Sequence, residues 1–343
     1  MIVMNYKNEN FIKAFINIIK ENNPDKIFFV CSSEYDRYGY RAALDAMGIQ
    51  VVAFSDFEPC PEVSSVKKAV EIFRNEKCDF IIAVGGGSAI DAAKAVKLFS
   101  EADVKILAVP TTAGTGAEVT RFAVLYNNGD KDSVRSYNII PEFQVFDYTT
   151  LKSLPYNQRV VTALDSFCHA FEAYWSKDCN EESKEYSKEA LKLFNNNFNK
   201  YLKGDDSSFK PMMRCSELAG RAINIAQTTA AHAFSYKLHK LKGFYHGQAV
   251  AVSLAYIWRY MAENCKEEDV VLILNELEQI SGYNPESFIT MLDDLNLLND
   301  LTVDDGEFDE IIHGVNISRL SNHPVSFTDK DIENIYNSFL IVC

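Results

Sequence analysis

Short apolar segments alternate with helical patterns through the first 150 residues of this 343-residue chain. The apolar segments include KIFFVCSS, QVVAFSD, DFIIAVGGG and KILAVPTT, and the helical patterns include VSSVKKAVEIFRNE and AIDAAKAVKLFS. Successive parallel strands need a long crossover, usually a helix, so this alternation predicts a parallel sheet covered by helices. We therefore expect an α/β domain with a parallel sheet at residues 1–154.

The pattern changes after Pro155, where β-rich segments give way to long amphipathic helices. The clearest are ESKEYSKEALKLFNNNFNKYL and the stretch from Met212 to Glu263. Residues 204–211, GDDSSFKP, are predicted as a loop. We therefore predict an all-α second domain at residues 155–343. In the first domain, NNGD predicts a hairpin attached to the parallel sheet.

Four residues of the helical half supply one carboxylate and three imidazoles, a ligand set suited to a divalent transition metal. They are Asp165, His169, His232 and His246. Asp165 and His169 are four residues apart in an apolar helical segment, which places both side chains on one face. His232 and His246 belong to later helical segments that must fold back onto the first. Zinc, iron(II), nickel or manganese fits this set, and the alternative is four polar groups satisfied within a core.

Two segments of the first domain have the composition of phosphate-binding loops. Gly85 to Ser88 lie between an apolar strand and a helix, where open backbone amides and the helix dipole favour an anion. Thr111, Thr112 and Thr115 follow another apolar strand and offer hydroxyl groups. Ligands of open α/β folds bind at the carboxyl edge of the sheet, so the loops predict a dinucleotide site. A tight strand-to-helix turn is the alternative for the glycines. With the metal ligands, these loops indicate metal-assisted hydride transfer in a cleft.

Charge and cysteine content argue against several other classes. A net charge of −14 and a pI near 5.0 disfavour nucleic acid or an anionic membrane as a partner, because both attract basic surfaces. The sequence has no run of roughly eighteen apolar residues, and its N-terminus lacks the pattern of a secretion signal. The eight cysteines are scattered and form no CxxC pair, so we expect a protein of the reducing cytoplasm.

These motifs resemble those of the iron-containing, or group III, alcohol dehydrogenases, whose structural relatives include glycerol dehydrogenase and dehydroquinate synthase. The resemblance rests on GGGSAIDAAK, on PTTAGTGAEVTRFAV, and on D-x-x-x-H followed by two histidines fourteen residues apart. It spans nearly the whole chain and implies an N-terminal dinucleotide-binding domain and a helical metal-binding domain. The activity implied is NAD(P)-linked aldehyde reduction or alcohol oxidation with Fe²⁺ or Zn²⁺, in a homodimer or larger assembly. The implied metal ligands are Asp165, His169, His232 and His246. The implied cofactor-binding residues are Gly86, Gly87, Ser88, Asp91, Thr111, Thr112, Thr115 and Lys131.

Three positions depart from the family pattern. NAD-preferring members have an aspartate after the first strand, whereas this chain has Ser32 followed by Ser33. A serine can donate to a 2′-phosphate, so we predict that NADP(H) is favoured over NAD(H). Cys60 stands where the family often has an asparagine of a cofactor-contacting turn. Tyr236 stands where a histidine often serves in a proton relay, so its hydroxyl either relays a proton or packs. Tyr236 and the neighbouring Lys237 are the candidates for catalytic roles.

Cationic side chains near the motifs suit an anionic substrate. Arg121, Arg135 and Lys237 are the candidates, although an ordinary ion pair is the commoner fate of such residues. The segments AEVTRFAVLYNNGDKDSV, ESKEYSKEALKL and QTTAAHAFSYKL are similar to the branch of the family described as phosphonoacetaldehyde reductases. This similarity favours reduction of a small aldehyde such as phosphonoacetaldehyde to 2-hydroxyethylphosphonate. Generic short-chain alcohol or diol oxidation is the first alternative. A dehydroquinate synthase-like cyclase and a non-catalytic binding protein are the others.

Overall fold

A computed structural model describes most of the chain, and the chain divides into two compact units, Met1–Leu154 and Pro155–Cys343. The described residues are 2–3, 10–31, 35–127, 130–315 and 317–343. Only the backbone is described at residues 2, 3, 35, 36, 130, 131, 318 and 319.

Eight strands lie in the described part of the first unit. They are β1 (Ile2–Val3), β2 (Lys26–Cys31), β3 (Gln50–Phe54), β4 (Phe80–Gly85), β5 (Lys105–Pro110), β6 (Phe122–Asn127), β7 (Asp130–Arg135) and β8 (Phe143–Gln144). Six of them form a parallel sheet in the order β1-β8-β5-β4-β2-β3, which confirms the predicted α/β class. The strands remain parallel, but the order in which they are added to the sheet reverses between β2 and β4. The strand that follows β2 in sequence, β3, lies on one side of this pair, and the strand that follows β4, β5, lies on the other. Such a switch point opens a crevice at the carboxyl ends of the strands.

Helices cover both faces of this sheet. They are α1 (Phe11–Asn22), α2 (Tyr40–Ala46), α3 (Val63–Asn75) and α4 (Gly87–Ser100). Phe28 and Val30 of β2 belong to the core that α3 and α4 form, whereas Ile27 and Phe29 belong to the core of α1 and α2. Alternate side chains of a strand point to opposite faces, so a strand buried on both faces must be apolar at nearly every position. This explains the continuous apolar runs of the sequence.

The predicted hairpin is present, but it is not attached to the parallel sheet. Strands β6 and β7 pair antiparallel as a separate two-stranded sheet, and the turn at Asn128 and Gly129 lies outside the described residues. Helix α4 holds the hairpin instead. Lys94 Nζ donates to the carbonyl oxygen of Phe122 at 2.8 Å, and Asp91 Oδ2 accepts from the Val124 amide at 3.1 Å. The predicted attachment was wrong because side chains of a helix bind the backbone of β6.

The second unit is helical, as predicted. Its helices are α5 (Tyr156–Trp175), α6 (Glu181–Leu202), α7 (Asp206–Ala226), α8 (Ala230–Lys242), α9 (His246–Asn264), α10 (Glu268–Ser281), α11 (Pro285–Asp294), α12 (Asp305–His313) and α13 (Asp329–Asn337). A short parallel pair, β9 (Thr302–Val303) and β10 (Ile341–Val342), accompanies them. Helix α5 packs against α6, α7 and α9, and every residue from Ala163 to Trp175 is buried. Within the described ranges, the length and hydropathy of the helices rule out a membrane-spanning one.

The predicted loop at residues 204–211 is mostly helical, so that prediction was wrong. Helix α7 begins at Asp206, after Asp205 accepts a hydrogen bond from the Ser207 amide at 2.9 Å. Pro211 lies inside the helix. Aspartate and serine favour helix N-termini as strongly as they favour loops, and here tertiary packing decides between the two.

Candidate metal centre and cofactor-binding loops

Three helices of the second unit bring the four predicted ligands together. Asp165 and His169 lie on consecutive turns of α5, His232 lies in the first turn of α8, and His246 is the first residue of α9. Asp165 Oδ1 is 3.7 Å from the Nε2 atom of each of the three histidines. Donor atoms of Asp165, His232 and His246 all lie within 4.8 Å of one another.

A glycine explains how α9 can approach α5 so closely. A Cβ atom at Gly247 would lie 1.9 Å from the carbonyl oxygen of Val161 and 3.2 Å from the Asp165 Cβ. No side chain fits in that space. The sequence HG therefore places His246 directly at the carboxylate of Asp165, because Gly247 allows the two helix backbones to touch.

The buried atoms of the cluster fit a metal ion. Asp165 and His232 are only 3% and 4% exposed, and within the described structure neither Asp165 Oδ1 nor His232 Nε2 makes a hydrogen bond. Buried polar atoms without a partner are costly, so atoms left in this state indicate a ligand. Ligands at about 2.0–2.2 Å from a tetrahedral ion are about 3.3–3.6 Å apart, and the 3.7 Å between Asp165 Oδ1 and each Nε2 atom is close to this value. His169 is not in the group of donor atoms that all lie within 4.8 Å of one another.

The electrostatics of the cluster favour an anionic carboxylate. Burial alone would raise the pKa of Asp165, but the charges of His169, His246 and His232 hold it well below its usual range. Burial alone would lower the pKa of His232, but the carboxylates of Glu172 and Asp165 raise it to about 9. These carboxylates therefore stabilise a positive charge between them, and a divalent cation would provide such a charge.

Sequence reasoning missed Glu172, which lies on α5 and contacts His232. It is fully buried, and its Oε2 atom faces Nδ1 of His232. Burial alone would raise the pKa of Glu172, but the charge of His232 and the hydrogen bonds from Thr229 lower it. A signal was available. Glu172 is three residues after His169 and seven after Asp165, on the same face of a largely apolar helical segment.

The two candidate catalytic residues lie one turn further along α8. Tyr236 is half-buried and four residues after His232. Lys237 Nζ forms an ion pair with Glu310 Oε1 at 2.7 Å, the ordinary alternative that the sequence left open. His239 contacts the carbonyl oxygen of Phe244 through Nδ1, and its ring centroid is 6.3 Å from that of His246.

The two predicted cofactor loops touch each other at the carboxyl ends of β4 and β5. Gly86 precedes α4 as its N-cap and has no side chain, so it leaves the amides of the first turn without a side-chain cap. A Cβ at Gly86 would lie 3.2 Å from Thr112 Cγ2, and one at Gly87 would lie 2.7 Å from Thr115 Cγ2. The Thr111 amide donates to the carbonyl oxygen of Gly85 at 3.0 Å. A phosphate group fits such an open helix N-terminus beside the switch point.

The other predicted cofactor-binding residues have varied positions. Ser88 Oγ accepts from the Cys60 amide at 3.3 Å, which ties the turn at Cys60 to the glycine loop. Asp91 accepts from Val124 and so supports β6, as described above. Lys131 lies in β7 opposite Tyr126, and its side chain is outside the described part. Ser32 and Ser33, which carry the NADP(H) prediction, also lie outside the described residues.

Comparison with known proteins gives consistent matches along the chain. Residues 6–148 match the family model "Iron-containing alcohol dehydrogenase", and residues 159–340 match "Fe-containing alcohol dehydrogenase family, C-terminal". The 1,3-propanediol dehydrogenase of Citrobacter freundii is 35% identical over 233 residues, which are 62% of this chain and 60% of that protein. The NADPH-dependent butanol dehydrogenase of Clostridium saccharobutylicum is 30% identical over 277 residues, covering 74% of this chain and 71% of that protein. The chain thus spans less than two thirds of the first of these relatives.

Solved structures match over nearly the whole chain. An iron-containing alcohol dehydrogenase from Thermotoga maritima superposes with a TM-score of 0.87 at 29% identity and covers 96% of both chains. A sulfoacetaldehyde reductase from Bifidobacterium kashiwanohense, solved with NAD⁺, superposes with a TM-score of 0.80 at 25% identity. It covers 96% of this chain and 94% of that one.

An α/β unit with open glycine and threonine loops, together with a helical unit that carries a carboxylate and three imidazoles, agrees with these family matches. The chain belongs to the iron-containing alcohol dehydrogenase family. This confirms the resemblance inferred from its motifs.

Proposed function

We propose that this protein is a metal-dependent aldehyde reductase and alcohol dehydrogenase that uses NAD(P)(H). The observation that carries the proposal is the convergence of three imidazole Nε2 atoms on Asp165 Oδ1, each at 3.7 Å, in a site where Asp165, His169 and His232 are buried and His246 is half-buried. Family membership supports the reaction class. The open N-terminus of α4 supports a cofactor with a pyrophosphate.

The proposed roles of the side chains follow from their chemistry. A divalent ion would supply a Lewis acid that polarises the substrate oxygen, and the nicotinamide would supply the hydride. Asp165, His169, His232 and His246 would hold the ion through one anionic and three neutral donors. The α4 amides would bind the pyrophosphate, and the threonine loop would line the cofactor. Tyr236 Oη, one turn beyond His232, is our proposed donor of the proton that the product oxygen takes up.

We propose NADP(H) as the preferred cofactor. Ser32 and Ser33 support it, since they replace the aspartate that would repel a 2′-phosphate. The relative from Clostridium saccharobutylicum is named as NADPH-dependent, whereas the sulfoacetaldehyde reductase was solved with NAD⁺. Initial rates with both cofactors decide between them, and a tenfold preference for NADH would overturn the proposal.

We propose a small anionic aldehyde, with phosphonoacetaldehyde as the first candidate, as the substrate. The subfamily similarity of the sequence supports it, as does the likeness to a protein named for sulfoacetaldehyde, which carries a comparable acid group beside its aldehyde. In the first unit, Arg121 donates a hydrogen bond to Tyr137 Oη at 2.9 Å and stacks on its ring. In the second unit, Lys237 forms an ion pair with Glu310. Short-chain alcohol or diol oxidation is the second candidate, which the similarity to 1,3-propanediol dehydrogenase favours.

The experiment is NAD(P)H oxidation at 340 nm by metal-free protein reconstituted with Fe²⁺ or Zn²⁺. Phosphonoacetaldehyde, sulfoacetaldehyde, 3-hydroxypropanal and butanal are compared with both cofactors. Metal-dependent turnover with a kcat/KM at least tenfold higher for the anionic aldehydes supports the proposal. A preference for butanal or 3-hydroxypropanal supports the second candidate, and absence of turnover with every pair refutes a reductase. A cytoplasmic homodimer remains our proposal for location and assembly, and sedimentation measures the assembly.

A further inference from the structure

Glu172 divides its two carboxylate oxygens between two tasks. Its Oε1 atom accepts hydrogen bonds from the Thr229 amide at 2.9 Å, from Thr229 Oγ1 at 2.7 Å and from the Ala231 amide at 2.9 Å. Its Oε2 atom contacts Nδ1 of His232. One buried side chain of α5 therefore binds both the start of α8 and a ring that α8 carries.

The first task completes the N-terminus of α8. Thr229 is the N-cap residue, but its side chain makes no capping bond. Its hydroxyl instead donates to Glu172 and accepts from Trp175 Nε1 at 2.8 Å. The first amides of α8 would otherwise lack an acceptor, so the carboxylate of Glu172 acts as the cap and complements the helix dipole.

The second task concerns the ring nitrogen that faces away from the metal cluster. His232 Nε2 points to Asp165 Oδ1, so it is the atom that would bind an ion, and Nδ1 would then carry the proton. A carboxylate at Nδ1 stabilises that tautomer and fixes the rotation of the ring. The contacts of Oε1 anchor Glu172, so the ring is held by a side chain that cannot itself rotate away.

We propose that Glu172 is the positioning residue of the metal centre, which holds His232 with its proton on Nδ1 and its Nε2 atom toward the ion. The inference rests on the proposed metal site and adds a residue through which that site gains affinity. Partners of this kind typically change metal affinity by about 10- to 100-fold when replaced.

Glu172→Gln separates this role from helix capping. The amide oxygen of the glutamine should take the place of Oε1 and accept from Thr229 and Ala231, because an amide nitrogen there would face two N–H donors. The amide nitrogen must then face Nδ1 of His232, where it donates a hydrogen bond. This geometry favours the His232 tautomer with the proton on Nε2, and a protonated Nε2 cannot bind an ion.

Glu217→Gln is the matched control. Glu217 of α7 is also a fully buried glutamate of the helical unit, but it accepts from Arg214 at 2.8 Å and from Arg221 at 2.9 Å. Its replacement removes buried charge pairing at a site that contains no predicted ligand. It therefore reports the general effect of a lost buried carboxylate in this unit.

The measurement is the Zn²⁺ dissociation constant by competition with a chelating dye, together with the visible spectrum of the Co²⁺ protein and the melting temperature of the metal-free protein. We expect Glu172→Gln to weaken Zn²⁺ binding by about 10- to 100-fold and to alter the Co²⁺ spectrum. Its metal-free melting temperature should fall less than that of Glu217→Gln. Glu217→Gln should lower the melting temperature and leave Zn²⁺ affinity within twofold of the wild type. Equal Zn²⁺ affinity of Glu172→Gln and the wild type, or an equal loss in both variants, overturns the inference.

A measurement on the unaltered protein covers the case in which Glu172→Gln does not fold. Imidazole ¹⁵N spectra of the zinc-loaded wild type should show His232 with zinc on Nε2 and a hydrogen-bonded proton on Nδ1. Zinc on Nδ1 overturns the inference and leaves the metal site standing. A wild type that binds no Zn²⁺ at all overturns the proposed function as well, so the two failures are distinguishable.

Discussion

Buried polar atoms have different meanings at different residues of this protein. Asp165 Oδ1 and His232 Nε2 lie 3.7 Å apart and share their surroundings with two further imidazoles. His323 is equally buried, and among the described residues neither of its ring nitrogens makes a hydrogen bond. Its ring contacts Trp175 and Phe327, with centroids 5.1 and 4.9 Å away. Convergence of several donors, not burial alone, distinguishes a candidate ligand from a histidine enclosed in the core.

The enclosure of His323 predicts loss of stability in acid. Burial, with a smaller contribution from Lys177 and partly opposed by Glu172, lowers the pKa of His323 from 6.5 to about 3. The pKa in the folded state is below that of the unfolded state, so the stability contributed is full above about pH 6.5 and falls as the pH drops toward 3. At pH 5, protonation of His323 in the unfolded state lowers the free energy of unfolding by about 2 kcal/mol.

The measurement is the free energy of unfolding in urea at pH 7 and pH 5 for the wild type and for His323→Phe. The difference between the two proteins should shift by about 2 kcal/mol in favour of the variant at pH 5. Other groups titrate equally in both and cancel. A shift below 0.5 kcal/mol would contradict the assignment of acid sensitivity to His323.

Two helix termini and one helix interior build the proposed metal centre at the level of elements. Helix α5 provides Asp165 and His169 from its buried middle, whereas α8 and α9 provide a histidine each from their first turns. A helix interior is rigid, and a helix start is positioned by its cap and by close approach of its backbone. Glu172 accepts from the start of α8 and Gly247 allows the close approach of α9, so each affects the position of a proposed ligand.

Gly247→Ala should displace the start of α9. The new Cβ would meet the Val161 carbonyl oxygen at 1.9 Å and the Asp165 Cβ at 3.2 Å, and the first of these contacts is with backbone that has little room to adjust. We expect a loss of about 1–3 kcal/mol in unfolding free energy, typical of overpacking, and weaker Zn²⁺ binding because His246 moves. Urea unfolding and dye competition measure the two effects. Gly306→Ala, whose Cβ would meet only Asp304 Oδ1 at 3.3 Å, is the control, and similar behaviour of both variants would argue against close packing at Gly247.

Gly87→Ala should affect the cofactor and not the metal. Its Cβ would lie 2.7 Å from Thr115 Cγ2, so the Thr115 side chain must shift away from the start of α4. We expect the KM for NADPH to rise about tenfold, equivalent to about 1.4 kcal/mol, with Zn²⁺ affinity unchanged. Steady-state kinetics at saturating aldehyde and dye competition test the two statements. An unchanged KM would remove the two loops from the proposed cofactor site.

At the scale of the whole molecule, the two units contribute different chemistry. The α/β unit carries the open helix N-terminus and the threonine loop, and the helical unit carries the carboxylate and the imidazoles. An ion that binds only the folded helical unit must stabilise it against unfolding, since the cluster unites residues more than eighty positions apart, Asp165 and His246.

Metal addition should therefore raise the stability of the metal-free protein. At a free Zn²⁺ concentration a thousandfold above the dissociation constant, the gain is about 4 kcal/mol in unfolding free energy. His246→Ala should show little of this gain while keeping a wild-type circular dichroism spectrum without metal. Urea titrations with chelator and with Zn²⁺ supply the values, and an equal gain in the variant would exclude His246 as a ligand.

The periodicity of the sequence was sufficient for the fold class. Apolar runs buried on both faces predicted parallel strands, and amphipathic runs after Pro155 predicted helices, because these patterns reflect local geometry and burial. Patterns were less informative at residues 204–211, where capping residues resemble loop residues, and at the hairpin, whose attachment depends on Lys94 and Asp91 of a neighbouring helix.

Sequence alone thus determined the two kinds of architecture and the set of chemical groups that could hold a metal and a dinucleotide. Only the tertiary structure decided that Asp165, His232 and His246 meet within 4.8 Å, that Gly247 permits the approach and that Glu172 supports His232. The reason is physical. Backbone preferences and burial act over a few neighbouring residues and produce a periodic pattern in the sequence. Contacts between distant helices depend on side-chain packing, which produces no such pattern.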